Sequence, residues 1–422
     1  MGLAAINAEL NKKYSKRNPD LVFDPSREIE YVSSANIIYD LTCGGFPKKR
    51  ITEIISAEHM GKTSLLMAAC AELQRKGGTA VYFDIEAAFD PHYAEYAYGL
   101  KVDMDTFSLY QPDTLEECSD TFDDLMEKCE EMGISIDLVC FDSIAMMKPK
   151  ALIELSAEDS AAVALQARGV GRLFDKVKVA CRRHNFSAVF TNQFRTAIKT
   201  NMFQQASTFY AGGVNEQFTT PGGQAPRYYS SVRVKLDYGG RDDDKTAEDK
   251  ISGEVGKART GKLVKIVNIK NRLGRPELMG VTHFVYPDPD LGIRGGWSKG
   301  LDMMEILKRR GRLYQKGTKL VYNGLEIPEW STLGSAVSCQ EKFMSDHKVM
   351  ADAEKLVWSL CKGCKMGEAS DMERARIGVD YDSSDTEGQE RPPEDEIPSK
   401  PSKGKGAKSQ PSDSGEIRTL TL

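Results

Sequence analysis

Six short runs between Arg50 and Lys270, RITEIIS, TAVYFDI, IDLVCFDS, FSAVFTNQ, SSVRVKLDY and KLVKIVNIK, are branched and nearly continuously apolar. A strand covered on both faces has no solvated side, so such runs predict buried central strands rather than half-exposed ones. Between them the apolar spacing turns helical. TSLLMAACAELQRKG is one such stretch, stopped by Gly77 and Gly78, and AAVALQARGVGRLFDKVKVACRRH is another. Alternating strands and helices predict an α/β fold with a mostly parallel central sheet.

The ends of the chain read differently. Leu3, Ile6, Leu10 and Tyr14 fall near helical spacing, followed by Pro19 and an extended run around Leu21 to Phe23, so residues 1–33 are expected to form a helix-strand arm. One weakly amphipathic helix cannot bury itself, so the arm should pack on the body or on a neighbour. Residues 34–277 would form the core. From about Leu278 the pattern shifts to short strands and helices, with GLDMMEILKRRGRLY the clearest helix, which suggests a small α+β domain over 278–365. Residues 366–422 are rich in Ser, Pro, Glu, Asp and Lys, a composition expected to stay disordered. Within the core, Glu154 to Ser160 is polar and short and Thr196 to Arg227 is long with no clear period, and both resist assignment. An irregular stretch as long as the second, inside a compact domain, is usually functional or disordered.

Composition narrows the classes. With 40% hydrophobic and 28% charged residues and no apolar run of membrane-spanning length, the chain is expected to be a soluble, cytoplasmic protein with no membrane partner. Its N-terminus lacks the features of a secretory signal. Nine scattered cysteines show no framework spacing, and the one close pair, Cys361 and Cys364, has no second pair to complete a zinc site, so free thiols are expected. The net charge of −5 argues at first against nucleic acid. From Glu368 to Glu396, however, acids outnumber bases by roughly eleven to three, which leaves the rest near neutral or slightly basic.

The candidate chemistry starts at SAEHMGKT, Ser56 to Thr63. It matches the phosphate-loop pattern G-x-x-x-x-G-K-[ST] except that Ser56 stands at the first glycine. A match this loose would arise by chance in a chain of this size roughly three times in a hundred, so the motif alone is only suggestive. Its setting, after one expected strand and before one expected helix, is where backbone N–H groups and a helix N-terminus can wrap a phosphate. Lys62 would then reach the β- and γ-phosphates and the Thr63 hydroxyl would ligate Mg²⁺. If the Ser56 position needs a left-handed backbone, a non-glycine residue there costs roughly 1–2 kcal/mol; otherwise Ser is nearly neutral. Asp142, closing IDLVCFD, is a candidate second holder of Mg²⁺, although a strand-end Asp can simply cap a turn. VYFDIEAAFDP places Asp84, Glu86 and Asp90 at and just after a strand end, and of these Glu86 is a natural base for an attacking water. Acids after strands are also often just solvated.

SAEHMGKT, FDIEAAFDPHYA, QPDT, IDLVCFDSIAMMKPKALIE, FTNQFR, TPGGQAPRYYSSVRVKLD and VNIKNR occur in one order, over roughly Ser34 to Ile327, and that order resembles the bacterial RecA recombinases. The arm and the module after Leu278 resemble that family's polymerisation arm and C-terminal domain. The resemblance implies a RecA-like phosphate-loop ATPase core acting with ATP and Mg²⁺. It also implies partners: single-stranded DNA, homologous duplex DNA, further copies of the chain in a helical filament, and single-strand-binding or loader proteins. The implied activity is DNA-dependent ATP hydrolysis coupled to homologous pairing and strand exchange.

By motif, Ser56, Ala57, Glu58, His59, Met60, Gly61, Lys62, Thr63 and Ser64 would line the nucleotide, with Thr63 and Asp142 on Mg²⁺. Lys62 and Glu86 would be catalytic, and Gln193 would sense the γ-phosphate. Asp90 and Tyr93 would flank the adenine. Lys270 and Arg272 would reach the ATP of the adjacent protomer. The two irregular stretches would be the family's DNA loops, near 154–163 and 195–224, with Arg168, Arg172, Arg195, Lys199, Gly222, Gly223 and Gln224 toward the phosphates and Val163 and Ile198 toward the bases.

Three departures from the family stand out. The second loop is about ten residues longer than usual, which loosens assignments between Lys199 and Thr219; Asp175 stands where a base is common; and Tyr228 replaces a Phe. Such divergence would suit a phage-encoded or otherwise distant member. The acidic tail would either tune access to duplex by like-charge repulsion or serve only to solubilise. A ring-forming helicase of the same fold and a mediator that binds ATP with little turnover stay open as alternatives; the arm and VNIKNR speak against the first, Glu86 against the second.

Overall fold

The apolar runs become the centre of a nine-stranded sheet. In the computed structural model, which describes residues 2–14, 28–154, 161–196, 218–243, 259–287, 294–316, 319–327 and 347–361, the chain opens with α1 (Leu3–Tyr14), β1 (Tyr31–Val32), α2 (Ile37–Cys43) and β2 (Phe46–Pro47). The core follows as β3 (Ile51–Ser56), α3 (Lys62–Arg75), β4 (Ala80–Asp84), α4 (Pro91–Tyr98), β5 (Phe107–Tyr110), α5 (Leu115–Met132), β6 (Leu138–Asp142), α6 (Lys150–Glu154), α7 (Ala161–His184) and β7 (Ser187–Gln193). A two-residue ladder, β8 (Arg195–Thr196) with β9 (Phe218–Thr219), precedes α8 (Ala225–Tyr229), β10 (Val232–Asp243), β11 (Arg259–Asn271), β12 (Met279–Val285) and β13 (Gly296–Trp297). The strand order is β13-β12-β11-β10-β3-β7-β6-β4-β5. Pairing is parallel from β10 to β5 and antiparallel from β10 outward to β13.

Each face of the parallel part has its own core. Ile54, Cys140 and Val189 point to the side of α3 and α4, packing with Leu65, Leu66, Ala69 and Ala94. Their neighbours Ile51, Phe141 and Phe190 point to the side of α5 and α7, as the two-residue period of a strand requires. On that second side Phe83, Phe141, Phe190 and Phe174 form a stack with centroid spacings of 4.9, 4.3 and 4.2 Å. Each ring pair adds about 0.5–1.5 kcal/mol to plain burial, so this column ties three strands and α7 together. Beside it in the same cross-strand row, Glu53 and Arg233 form an ion pair at 2.5 Å that is almost wholly buried. The Asn192 amide donates to Glu53 at 2.9 Å and to the Pro221 carbonyl at 3.1 Å.

The sheet runs past Glu277, because β12 pairs along β11 from Met279 to Val285 and Trp297 of β13 pairs with Phe284. The sheet therefore continues across the boundary expected at 277/278, and a second group of elements follows it, beginning with α9 (Lys299–Arg309). Its three-stranded sheet is β14 (Leu313–Lys316), β15 (Lys319–Tyr322) and β16 (Leu325–Ile327), with α10 (His347–Leu360) beside it. Met303, Leu307, Leu313, Val357 and Ile37 of α2 share its core. GLDMMEILKRRGRLY is a helix only through Arg309, since Gly311 turns the chain at φ 63° into β14. The arm contributes α1, with no buried residue and with Leu3 and Ile6 exposed. The extended run at Leu21 to Phe23 lies outside the described residues, as does the tail. The seven described cysteines are buried and free, Cys361 among them, and Cys364 lies outside the described residues. No helix among the described residues is long and apolar enough to cross a membrane.

Candidate nucleotide and DNA sites

Parallel strands end together, and here their carboxyl ends carry the chemistry. The register sets Ser56 of β3 opposite Gln193 of β7, and Asp84 of β4 opposite Asp142 of β6. Ligands of open α/β sheets collect at this edge. The loop from Ala57 to Gly61 leaves β3 and enters α3, whose first residue is Lys62. Gly61 caps that helix at φ 86°. A Cβ there would stand 2.7 Å from the Trp297 ring, so this glycine is required both by its backbone and by the close approach. Ser56 shows no such need. It is buried, ends a regular strand and is absent from the positive-φ residues, among which the loop's non-glycine member is His59 at φ 59°.

Lys62 is buried, and its ammonium donates to the Ser56 hydroxyl at 2.9 Å and to the Ala57 carbonyl at 3.1 Å. The Ser56 hydroxyl in turn donates to the Ala57 carbonyl at 2.6 Å. Burial lowers the Lys62 pKa below the ordinary lysine value, opposed by the nearby Asp142, Glu86 and Glu58 carboxylates. Asp142 is fully buried and held from three sides. Thr63 donates to its Oδ2 at 2.6 Å, Tyr82 to the same oxygen at 2.7 Å, and Thr191 to Oδ1. A hydroxyl and an oriented carboxylate joined across the loop mouth are hard oxygen donors, the kind Mg²⁺ takes from a protein while keeping several waters. The residues present therefore fit a magnesium–nucleotide complex. The cleft itself, about 640 Å³, is lined by Glu58, His59, Met60, Gly61, Lys62, Thr63, Ser64, Glu86, Ala88, Gln193, Lys262, Phe284 and Tyr286.

Glu86 is placed by its backbone, since its N–H and that of Ile85 both donate to the Asp142 carbonyl, at 3.1 and 2.7 Å. Its carboxylate accepts from Ser143 Oγ at 3.1 Å and lies 3.4 and 3.5 Å from Gln193 Nε2. The two other acids at and beyond the end of β4 make structural hydrogen bonds. Asp84 is buried and accepts from the Ala88 and Phe89 N–H groups and from Gln111, fixing the turn that carries Glu86. Asp90 caps α4 by accepting from the His92 and Tyr93 N–H groups, with Pro91 at the first helical position. Asp90 and Tyr93 do not line the cleft; Tyr93 packs edge-on against Tyr98 at 6.1 Å.

Lys270 and Arg272 also stay out of this cleft. The Lys270 ammonium donates to the Ser230 and Arg227 carbonyls, at 2.7 and 2.5 Å. Burial together with Arg272, Arg233 and Arg227 lowers its pKa to about 8, with Glu53 opposing. Arg272 is exposed.

On the other expected surface, Arg168 and Arg172 are exposed one turn apart on α7. Val163 and Arg195 are placed by backbone only, in the first turn of α7 and at the start of β8. Residues 155–160 of the first loop and 197–217 of the second, with Ile198 and Lys199, lie outside the described residues. The second loop enters and leaves through the β8–β9 ladder, Arg195 opposite Thr219. Gly222 and Gly223, at φ 90° and 68°, press the returning chain onto α7: a Cβ on Gly223 would meet Ala167 at 2.8 Å. Gln224 is exposed and starts α8. Asp175 accepts from the Tyr229 hydroxyl and so ties α7 to α8, while Tyr228 is 64% exposed.

Lys262, Phe284, Tyr286 and Ala88 belong to the cleft and were not among the residues expected from sequence. Only the basic character of KLVKIVNIK offered a signal for the first of them.

Against known proteins, the family model described as RecA N-terminal domain matches residues 3–288, more than half of the chain. Protein RecA of Rickettsia canadensis is 31% identical over 84% of this chain and 92% of its own length. The chromosomal Protein RecA of Lactococcus lactis is 31% identical over 78% of this chain and 74% of its own. Protein RecA of Mesomycoplasma hyopneumoniae is 29% identical over 76% and 85%. The chain belongs to the RecA family of DNA recombinases.

Proposed function

We propose that this chain hydrolyses ATP when assembled on single-stranded DNA and uses the ATP-bound assembly to pair that strand with homologous duplex and exchange strands. The observation that carries the reading is the joining, in one cleft, of a phosphate loop, the Thr63–Asp142 pair and a carboxylate, Glu86, bonded to Ser143 and within reach of the Gln193 amide. The loop N–H groups and Lys62 would bind the triphosphate, and Thr63 and Asp142 would hold Mg²⁺. When bound, the magnesium ion neutralises charge on the phosphate oxygens. Glu86 would accept a proton from the attacking water, in an edge that Ser143 and Gln193 keep ordered.

Gln193 is one residue from Asn192, whose amide reaches the Pro221 carbonyl at the base of the second loop. That adjacency supports a path by which the nucleotide state biases the DNA loop. Arg168 and Arg172 would meet DNA phosphates, and Lys270 and Arg272, which do not line their own cleft, would complete that of a neighbouring protomer in the filament.

The test is ATP turnover with and without single-stranded DNA, combined with strand exchange between homologous DNAs against a heterologous control. Strong stimulation by DNA and exchange confined to homologous pairs are expected. Glu86→Gln should lower turnover by about 10²–10⁴ while ATP-bound filaments still form. A turnover rate indifferent to DNA, or closed rings in place of filaments, would overturn the proposal.

A further inference from the structure

The cleft contains a second lysine from a distant part of the chain. Lys262 of β11 is only 6% exposed; its ammonium lies 4.9 Å from the centre of the Phe284 ring and 5.9 Å from that of Tyr286, and it donates to the His59 carbonyl of the phosphate loop. His59 holds a left-handed backbone that side chains with a Cβ rarely adopt. Two residues on, Gly61 lies against Trp297 and Phe284. The tip of the loop is therefore supported by the antiparallel strands β11 to β13, besides β3 and α3 that carry it. The peptide plane adds the decisive step. The His59 carbonyl and the Met60 N–H share one rigid trans unit and point in opposite directions, so a bond that fixes the carbonyl toward Lys262 also fixes the N–H on the opposite side. Successive N–H groups aligned in this way form the concave donor surface that binds phosphate.

We propose that Lys262 is a positioning residue for the phosphate loop, holding the His59–Met60 peptide in the orientation that receives a nucleoside triphosphate. This rests on the reading of the cleft as an ATP site. Because Lys262 acts through the loop backbone, nucleotide affinity depends on it and the chemical step does not. The aromatic pair has a part in this, since it accommodates the cation beside the loop and keeps the stem packed.

The experiment is equilibrium binding of a fluorescent ATP analogue with Mg²⁺ to the full chain, alongside ATP turnover on saturating single-stranded DNA. Lys262→Met keeps an apolar stem on the two rings and removes the donor; it should raise Kd and KM roughly tenfold and leave kcat within about twofold. Lys262→Arg restores a donor and should recover most of the affinity. Should Lys262→Met not fold, Lys262→Leu, which also lacks a donor, carries the same test. Wild-type affinity in the donor-less variants, a fall in kcat at unchanged Kd, or failure of Arg to restore binding overturns the role of Lys262. A wild-type chain that does not bind the analogue overturns the ATP reading itself, a result distinct from any of these.

Discussion

In the nucleotide cleft the reactive side chains are held by one another: Lys62 by Ser56 and Ala57, Thr63 by Asp142, Glu86 by Ser143. On α7, Arg168 and Arg172 stand exposed, and the loop they adjoin returns over Gly222 and Gly223. The contrast fits what each surface is proposed to recognise. A transferring phosphate needs donors and a base fixed within fractions of an ångström before it arrives, so the site invests in buried, mutually oriented groups. A DNA strand bound without regard to sequence needs charge, reach and surfaces for stacking, and long cations in water supply these without a fixed geometry. The first kind of site should fail abruptly when one group is lost. The second should weaken in steps.

The sharpest way to break this contrast is Lys62→Ala. Removing the loop ammonium proposed to bind the phosphates should cut ATP turnover at least a hundredfold, the scale of losing one preorganised donor, and abolish ATP-dependent filament assembly. Turnover assays and electron micrographs of the full chain with DNA would check it. A variant that retained turnover within tenfold would mean that the cleft is not the seat of the chemistry.

The graded side of the comparison is tested by Arg168→Ala with Arg172→Ala. If both cations meet phosphates of a single strand, the slope of log affinity against log salt should become shallower by roughly 0.7 for each. ATP affinity without DNA should stay at the wild-type value, because neither residue lines the cleft. Titrations of labelled single strands at several salt concentrations give the slope; an unchanged slope removes these residues from the DNA surface.

The same contrast explains which parts of the molecule were legible before any coordinates. Lys62, Thr63, Glu86, Asp142 and Gln193 each sit at a strand end or helix start, so local pattern and position along the sheet edge coincide. Lys262 and Phe284 reach the same cleft through β11 and β12, which follow the phosphate loop by some two hundred residues, and only strand register brings them there. β12 was placed beyond the core because its burial alternates, unlike the continuous runs of the parallel strands. β5 went unread for a related reason: FSLY has one buried residue and three half-buried ones at the sheet edge. Asp84 and Asp90 look like Glu86 in sequence, and their hydrogen bonds to backbone N–H groups separate them from Glu86, whose carboxylate meets Ser143. The two stretches proposed as DNA loops stood out by absence of pattern, a signal that locates a segment and says little about its side chains.

Between the two extremes lies Lys270, a cation bonded only to backbone carbonyls in its own protomer and carrying a pKa of about 8. If it meets a neighbour's triphosphate, the negative charge raises that pKa, so assembly takes up a proton wherever the free protomer has already lost it. ATP-driven assembly should then weaken several-fold as pH rises from about 8 toward 9. Lys270→Arg, charged throughout this range, should flatten the profile. Light scattering of the ATP–DNA complex against pH would show it, and an equal slope in both proteins would place Lys270 away from the phosphates.

The smallest effect is expected at Ser56, the residue that breaks the phosphate-loop pattern. Its backbone is that of an ordinary strand end, so glycine brings no relief of strain there. What Ser56→Gly removes is the hydroxyl that accepts from Lys62 and donates to Ala57. Two consequences oppose each other: Lys62 loses a partner that orders it, and it is freed from a bond that competes with phosphate. Each is worth about 1 kcal/mol, so ATP affinity near neutral pH should change by no more than about fivefold in either direction. The pH dependence is more telling than the affinity. A hydroxyl that accepts from the ammonium favours the charged form, and its loss should push the already lowered Lys62 pKa further down. Affinity for ATP should therefore begin to fall at a lower alkaline pH in Ser56→Gly than in wild type. Matching alkaline limbs would mean that the serine does not act through Lys62, and a variant unable to bind ATP at any pH would show that it shapes the whole loop.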